Sequence, residues 1–119
     1  MALNFKVEWF RGEESDEGMF VHTQIDMPCY QELIDKEEYN LYLPEERCTL
    51  INNLFAIPGI VEVSVKAYRV YVVKAELFKW DTLAGQVLGV IGTALGQSTY
   101  NELPGSRLTL DSVKSRRPL

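Results

Sequence analysis

The chain has little of what most catalytic and metal-binding proteins display. It has one histidine, His22, and two cysteines, Cys29 and Cys48. Catalysis needs titratable groups that converge in a pocket, and a single mid-strand histidine supplies few. The ordinary reading of His22 is a surface or sheet-edge residue facing the same side as Phe20 and Gln24. No local signature marks it as a partner of either cysteine in a Cys–His nucleophile. Structural zinc and iron–sulfur sites announce themselves with closely spaced cysteine pairs. Cys29 and Cys48 are far apart, so with His22 they form only a sparse set of three soft ligands, and no cofactor is expected. Two cysteines also make no disulfide framework, and a reducing cytoplasm suits them. Phosphate-binding and dinucleotide fingerprints are absent. No apolar run approaches the roughly 18 residues that span a bilayer, and the start, MALNFKVEWF, has no basic region followed by an apolar stretch.

Positive charge is also scarce. The net charge is −5, and it is uneven. Residues 1–50 carry twelve acids and four bases, and residues 51–119 carry five acids and eight bases. Binding to nucleic acid rests on Lys and Arg neutralising phosphates, so the balance disfavours it. The patch of Lys66, Tyr68, Arg69, Tyr71 and Lys74 interleaves aromatics with bases, as single-strand binders do. The acidity of the whole weighs against that role. The remaining bases gather in a tail, at Lys114, Arg116 and Arg117.

What is present is a chain of one-domain length with an ordinary apolar fraction of 46%. Leu3, Phe5, Val7 and Trp9 alternate with polar residues and predict a strand. A polar loop, Arg11 to Gly18, leads to a second alternating run, Met19 to Asp26, which pairs back as a hairpin. Within that loop Glu13, Ser15, Glu17 and Gly18 mimic the start of a calcium loop. Its closing position is Gln24, which cannot give the bidentate carboxylate the ion needs. Residues 28–43 read as a short helix over CYQELIDKEE, with Leu33 and Ile34 on one side, followed by extended YNLYL. Pro44 suits the first turn of a helix that would carry Cys48, Ile51 and Phe55 on its apolar face, with Arg47 lying along it. That helix ends near Ile57, because Pro58 disfavours helical backbone before it, and Gly59 permits the turn. The pairs Glu37-Glu38 and Glu45-Glu46 point apart on a helix and form no acid–base dyad.

Val61, Val63 and Val65 mark one face of the next strand, and Val70 and Val72 that of the following one, joined by a short turn at Ala67. A longer helix follows, with Asp81 near its start and Leu83, Val87, Val90, Ile91 and Ala94 as its apolar side. A short strand over Leu108 and Leu110 follows a Pro104-Gly105 turn. The order β-β-α-β-β-α predicts an α+β domain over residues 1–110, with a mainly antiparallel sheet and two helices on one face. Residues 28–43 would be an insertion in it, and residues 111–119 a mobile basic tail.

Gly85, Gly89, Gly92 and Gly96 recur at spacings of four, three and four, which gathers them on one side of the last helix. An interior glycine costs about 1 kcal/mol against alanine, so a stripe of them invites a reason. Small residues let another backbone approach closely. The stripe is therefore a candidate protein-binding face, including contact with a second copy of the chain.

The run LFAIPGIVEVSVKAYRVYVVK, Leu54 to Lys74, with Trp80-Asp81-x-Leu83 after it, resembles the N-terminal domain of the Nfu (NifU-like) iron–sulfur scaffold proteins. The residues that carry the likeness are Phe55, Pro58, Gly59, Lys74, Trp80 and Leu83, and they shape a fold. The resemblance covers roughly Leu54 to Ile91. In the scaffold proteins the cluster is held by a further domain with a C-x-x-C motif, which this sequence does not contain. The resemblance thus implies the fold and a non-catalytic accessory role, a contact with assembly or acceptor proteins during iron–sulfur cluster formation or delivery. It assigns cluster ligation to no residue here. An unrelated interaction or dimerisation domain is the alternative.

Overall fold

A computed structural model of the chain describes residues 3–11, 16–97, 100–103 and 107–108. Glu13 and Ser15 of the calcium-like spacing, the Pro104-Gly105 turn, Leu110 and the basic tail at 111–119 lie outside these residues. Strands β1 (Leu3–Arg11) and β2 (Asp16–His22) pair antiparallel. β4 (Ile60–Lys66) and β5 (Arg69–Lys74) form the second hairpin, and β5 pairs with β2, so the two hairpins fuse into one sheet. β3 (Gln31–Asp35) adds antiparallel to the outer edge of β4. At the opposite edge β6 (Tyr100–Leu103) and β7 (Arg107–Leu108) run parallel to β1, which gives the order β3-β4-β5-β2-β1-β6. The expected class holds: a mainly antiparallel α+β domain in the order β-β-α-β-β-α, with a short strand near the C-terminus at Arg107–Leu108.

Alternation along the strands sends Phe5 and Val7, Met19 and Val21, Val63 and Val65, and Val70 and Val72 to one side, and all eight are buried. α2 (Thr49–Phe55) and α3 (Trp80–Ala94) cover that side, with Leu50, Ile51, Leu54, Phe55, Leu83, Val87, Leu88 and Ile91 completing a single core. At about 25 cal/mol per Å2 of apolar surface removed from water, this layer is the main stabilising term.

Three local expectations are corrected. Residues 31–35 form β3 rather than helix, because the edge of β4 offers a ladder to pair with. Only Ile34 of that strand is buried, and Leu33 faces solvent. Asp35 then caps a single turn, α1 (Lys36–Tyr39), its carboxylate accepting the Glu38 N–H at 2.8 Å. YNLYL is accordingly not extended at its start: Tyr39 ends α1 and Asn40 caps it.

The helix expected from Pro44 begins at Thr49. Pro44–Glu46 is a 3₁₀ turn, and Arg47 and Cys48 are extended. Arg47 is drawn off the helix line by donating to the carbonyls of Asn40 at 2.8 Å and Tyr42 at 3.1 Å. Cys48 is the N-cap of α2 rather than part of its apolar face.

Val61 is exposed, where alternation had put it inside. A bulge between Ile60 and Glu62 inserts one extra residue, so Ile60 turns inward in its place.

The turn between β4 and β5 is Ala67-Tyr68, and among the described residues no non-glycine residue has positive φ, so it is not a primed turn. Its carbonyls are taken up by the chain leaving β2. The Thr23 N–H donates to Tyr68 O at 2.9 Å and the Met27 N–H to Ala67 O at 2.7 Å. Among the described residues no helix is long and apolar enough to cross a membrane.

Candidate functional site

Pro58 and Gly59 join α2 to β4, and the neighbouring loop from Ala75 to Lys79 joins β5 to α3. The two loops are held together. The Ala75 N–H donates to Gly59 O at 2.7 Å, and a Cβ built on Gly59 would fall 2.5 Å from the Phe78 ring. Gly59 also sits at φ +99°, where side chains are strained. Both the conformation and the close ring demand glycine. Phe55, Trp80 and Leu83 lie in the core behind this corner, and Lys74 ends the buried row of β5 opposite Ile60. Each of the six residues that carry the family resemblance therefore has an architectural position. The loop also presents Leu77, which is 95% exposed.

The glycines of α3 separate into three roles. Gly85 and Gly89 face open space, with nothing within 4 Å of a Cβ built on either. Gly92 is buried on the flank of the core face. Gly96 follows the helix at φ +75°, with its N–H on Thr93 O and the Gln97 N–H on Gly92 O. That is a Schellman end, and it gives Gly96 a structural reason of its own. The buried side of α3 runs through Trp80, Leu83, Val87, Leu88 and Ile91. Leu88 replaces Ala94 in the expected set, and Ala94 is exposed.

Cys29 and Cys48 are joined as a disulfide, with their Cα atoms 6.5 Å apart. This corrects the reading of two separate thiols. It takes both thiolates out of any ligand set with His22, and the argument from free thiols to a reducing compartment loses its premise. Among the described residues no group of three or more His, Cys, Asp or Glu side chains is placed to hold a metal ion. Beside the bridge, the buried Tyr39 hydroxyl accepts the Cys48 N–H at 2.9 Å and donates to Asn52 Oδ1 at 2.9 Å. Tyr39 also packs against Phe55, with ring centroids 5.4 Å apart. No periodic or motif signal singled Tyr39 out.

His22 is half-buried on β2, an interior strand between β5 and β1, so it is not an edge residue. It lies on the sheet face away from the helices, where Phe20 stacks on Tyr71 at 4.3 Å and the Arg69 guanidinium sits 5.4 Å over the Phe20 ring. The Tyr71 ring lies across Gly18, so close that a Cβ there would meet it. From sequence Gly18 reads as the end of the hairpin loop; the structure instead extends β2 back to Asp16, which puts Gly18 inside the strand at this close approach. The aromatic and basic patch does not stay together. Lys74 falls on the opposite face of β5 from Arg69 and Tyr71 and is buried.

Lys66 is engaged at the β3 edge. Its ammonium donates to the Tyr30 hydroxyl at 2.9 Å and lies 3.5 Å from Glu32, while Tyr30 donates to Glu32 Oε1. The Tyr30 hydroxyl first, and the Lys66 charge second, hold the Glu32 carboxyl below its ordinary range. Lys66 is raised, chiefly by its hydrogen bond with Tyr30; desolvation opposes this, and the Glu32 charge adds a smaller upward push. The three side chains are largely exposed, and their contacts tie the start of β3 to β4.

No family model matches the chain, and no curated protein matches it. Among solved structures, it is similar to a solution NMR structure of a NifU-like protein from Saccharomyces cerevisiae. The TM-score is 0.62 at 11% identity, and the alignment covers 80% of each chain. At that identity the likeness is one of fold: the chain has a NifU-like fold.

Proposed function

We propose that the protein is a non-catalytic, protein-binding accessory module that assists iron–sulfur cluster assembly or delivery. One observation carries the reading. The run from Leu54 to Leu83 resembles the Nfu N-terminal domain in register, and it lies in a chain whose fold aligns with a NifU-like protein over 80% of its length. Fold alone does not fix function, so the residue-level resemblance is needed beside it. In this reading the chain contributes no cluster ligands. Its partners are assembly or acceptor proteins, and its site of action is the cytoplasm. Affinity capture of the tagged full chain from its native host, with quantitative mass spectrometry, tests it. Enrichment of iron–sulfur assembly or acceptor proteins over an untagged control is expected. Their absence from the captured set would overturn the reading.

A second reading is an interaction or dimerisation domain without an iron–sulfur connection. The open surroundings of Gly85 and Gly89 favour it, since two helix-destabilising residues there meet no packing demand within the chain. In this reading a second copy lies along that side of α3. Its test is the mass in solution of the Gly85→Ala, Gly89→Ala variant beside the parent.

A further inference from the structure

The cross-link between Cys29 and Cys48 brackets a distinct part of the molecule. Cys29 lies just before β3 and Cys48 caps α2, nineteen residues later. Between them run β3, α1 and the 3₁₀ turn. Of residues 30–47 only Ile34 and Tyr39 are buried. The ladder from β3 to β4 is short and shifts register between Gln31 and Ile34. Among the described residues the remaining ties are Tyr39 to Cys48, Asn52 and the Phe55 ring, Ile34 and Tyr42 against the core, Ser64 to Gln31, and the exposed Tyr30–Glu32–Lys66 group. The rest of the fold is closed by buried rows on β1, β2, β4 and β5 against α2 and α3, and it has no need of the bridge for its contacts. Both bridged residues are half-buried rather than sealed in the core.

We propose that Cys29–Cys48 is a thiol–disulfide switch. Oxidised, it latches residues 30–47 across the β4 edge and the start of α2. Reduced, that segment opens as a unit while the two hairpins and the helices α2 and α3 stay folded. A segment with few buried contacts and a single covalent clamp is the kind of region that opens below the global unfolding free energy. The exchange partner is a low-molecular-weight thiol such as glutathione. In the opening direction two such thiols attack in succession through a mixed disulfide. Their two sulfurs become joined, and their protons and electrons leave Cys29 and Cys48 as thiols. The closing direction is the reverse, with the small disulfide as oxidant. The inference is independent of any iron–sulfur role.

The test uses the full chain in buffers of defined reduced-to-oxidised glutathione ratio. Thiols are counted by alkylation and intact mass, and amide hydrogen exchange is followed by residue. Within the range of buffers, Cys29 and Cys48 are expected to pass together from bridged to alkylatable, and back. Exchange over Gln31–Tyr39 should accelerate about tenfold or more on reduction, with β2 and β5 unchanged. The Cys29→Ser, Cys48→Ser variant should show the fast exchange at every ratio. A bond that forms at no ratio, or that resists every ratio, would overturn the switch. So would reduction that leaves residues 31–39 as protected as before, or that accelerates exchange throughout the sheet.

Discussion

The fused hairpins and the segment from Cys29 to Cys48 are held by different forces. In the hairpins, four strands each bury alternate residues against two helices, and no single contact is decisive. In the segment most side chains face water. A cross-link, one tyrosine hydroxyl and an irregular edge ladder stand in for a core. The difference teaches that stability in this chain is local in kind: area-driven on one side of the molecule, and dependent on discrete bonds on the other.

Truncating the core should have the largest effect. Phe5→Ala removes a fully buried ring and should lower the unfolding free energy by about 3 to 5 kcal/mol, read from the urea midpoint at constant slope. An equal loss on replacing the exposed Leu41 would break the contrast between the regions. Removing the bridge comes next. The Cys29→Ser, Cys48→Ser variant frees a loop whose closure is worth about 3 kcal/mol in the unfolded chain, with core amides still protected under native conditions. Third, Gly85→Ala and Gly89→Ala should each stabilise an isolated chain by about 1 kcal/mol, since helix propensity improves and nothing nearby is displaced. A thermal scan measures this. If a second copy covers that face, association weakens in the same variants.

The smallest effect is electrostatic. Glu32 is held low, so its contribution is present above the ordinary carboxylate pKa and fades as pH falls through its folded value. Lys66 is raised, so its contribution is present below the ordinary lysine pKa and fades as pH rises through its folded value. Protection of the amides near Gln31, taken relative to the intrinsic exchange rate at each pH, should fall at both ends of that window. Glu32→Gln should flatten the acid limb while leaving β2 unaffected.

The hairpins and α3 were legible because their signals are local. Period-two alternation in Phe5, Val7, Val63, Val65, Val70 and Val72 survives into the buried rows, and Pro58-Gly59 ends a helix for reasons carried by those two residues. Residues 28–48 were not legible because their conformation is decided from outside. The β4 edge turns QELID into a strand, Arg47 is drawn to the carbonyls of Asn40 and Tyr42, and Cys48 meets a cysteine nineteen positions away. The bulge that exposes Val61 and the parallel strand β6 also depend on partners elsewhere in the sheet. The glycine stripe is one spacing but not one feature. Gly96 terminates the helix, Gly92 is buried, and Gly85 and Gly89 face open surroundings from within the helix.

β3 has one more consequence. It is short, shifted in register and carries the exposed acids Glu32 and Asp35. Such a strand is a poor template for another chain, and it covers β4, whose Ile60, Val63 and Val65 are strong β-formers. As long as β3 stays in place, the sheet ends there. Wherever it lifts away, the apolar strand β4 becomes the border of the molecule, and concentrated protein gains a route to edge-to-edge aggregation that the closed form denies it.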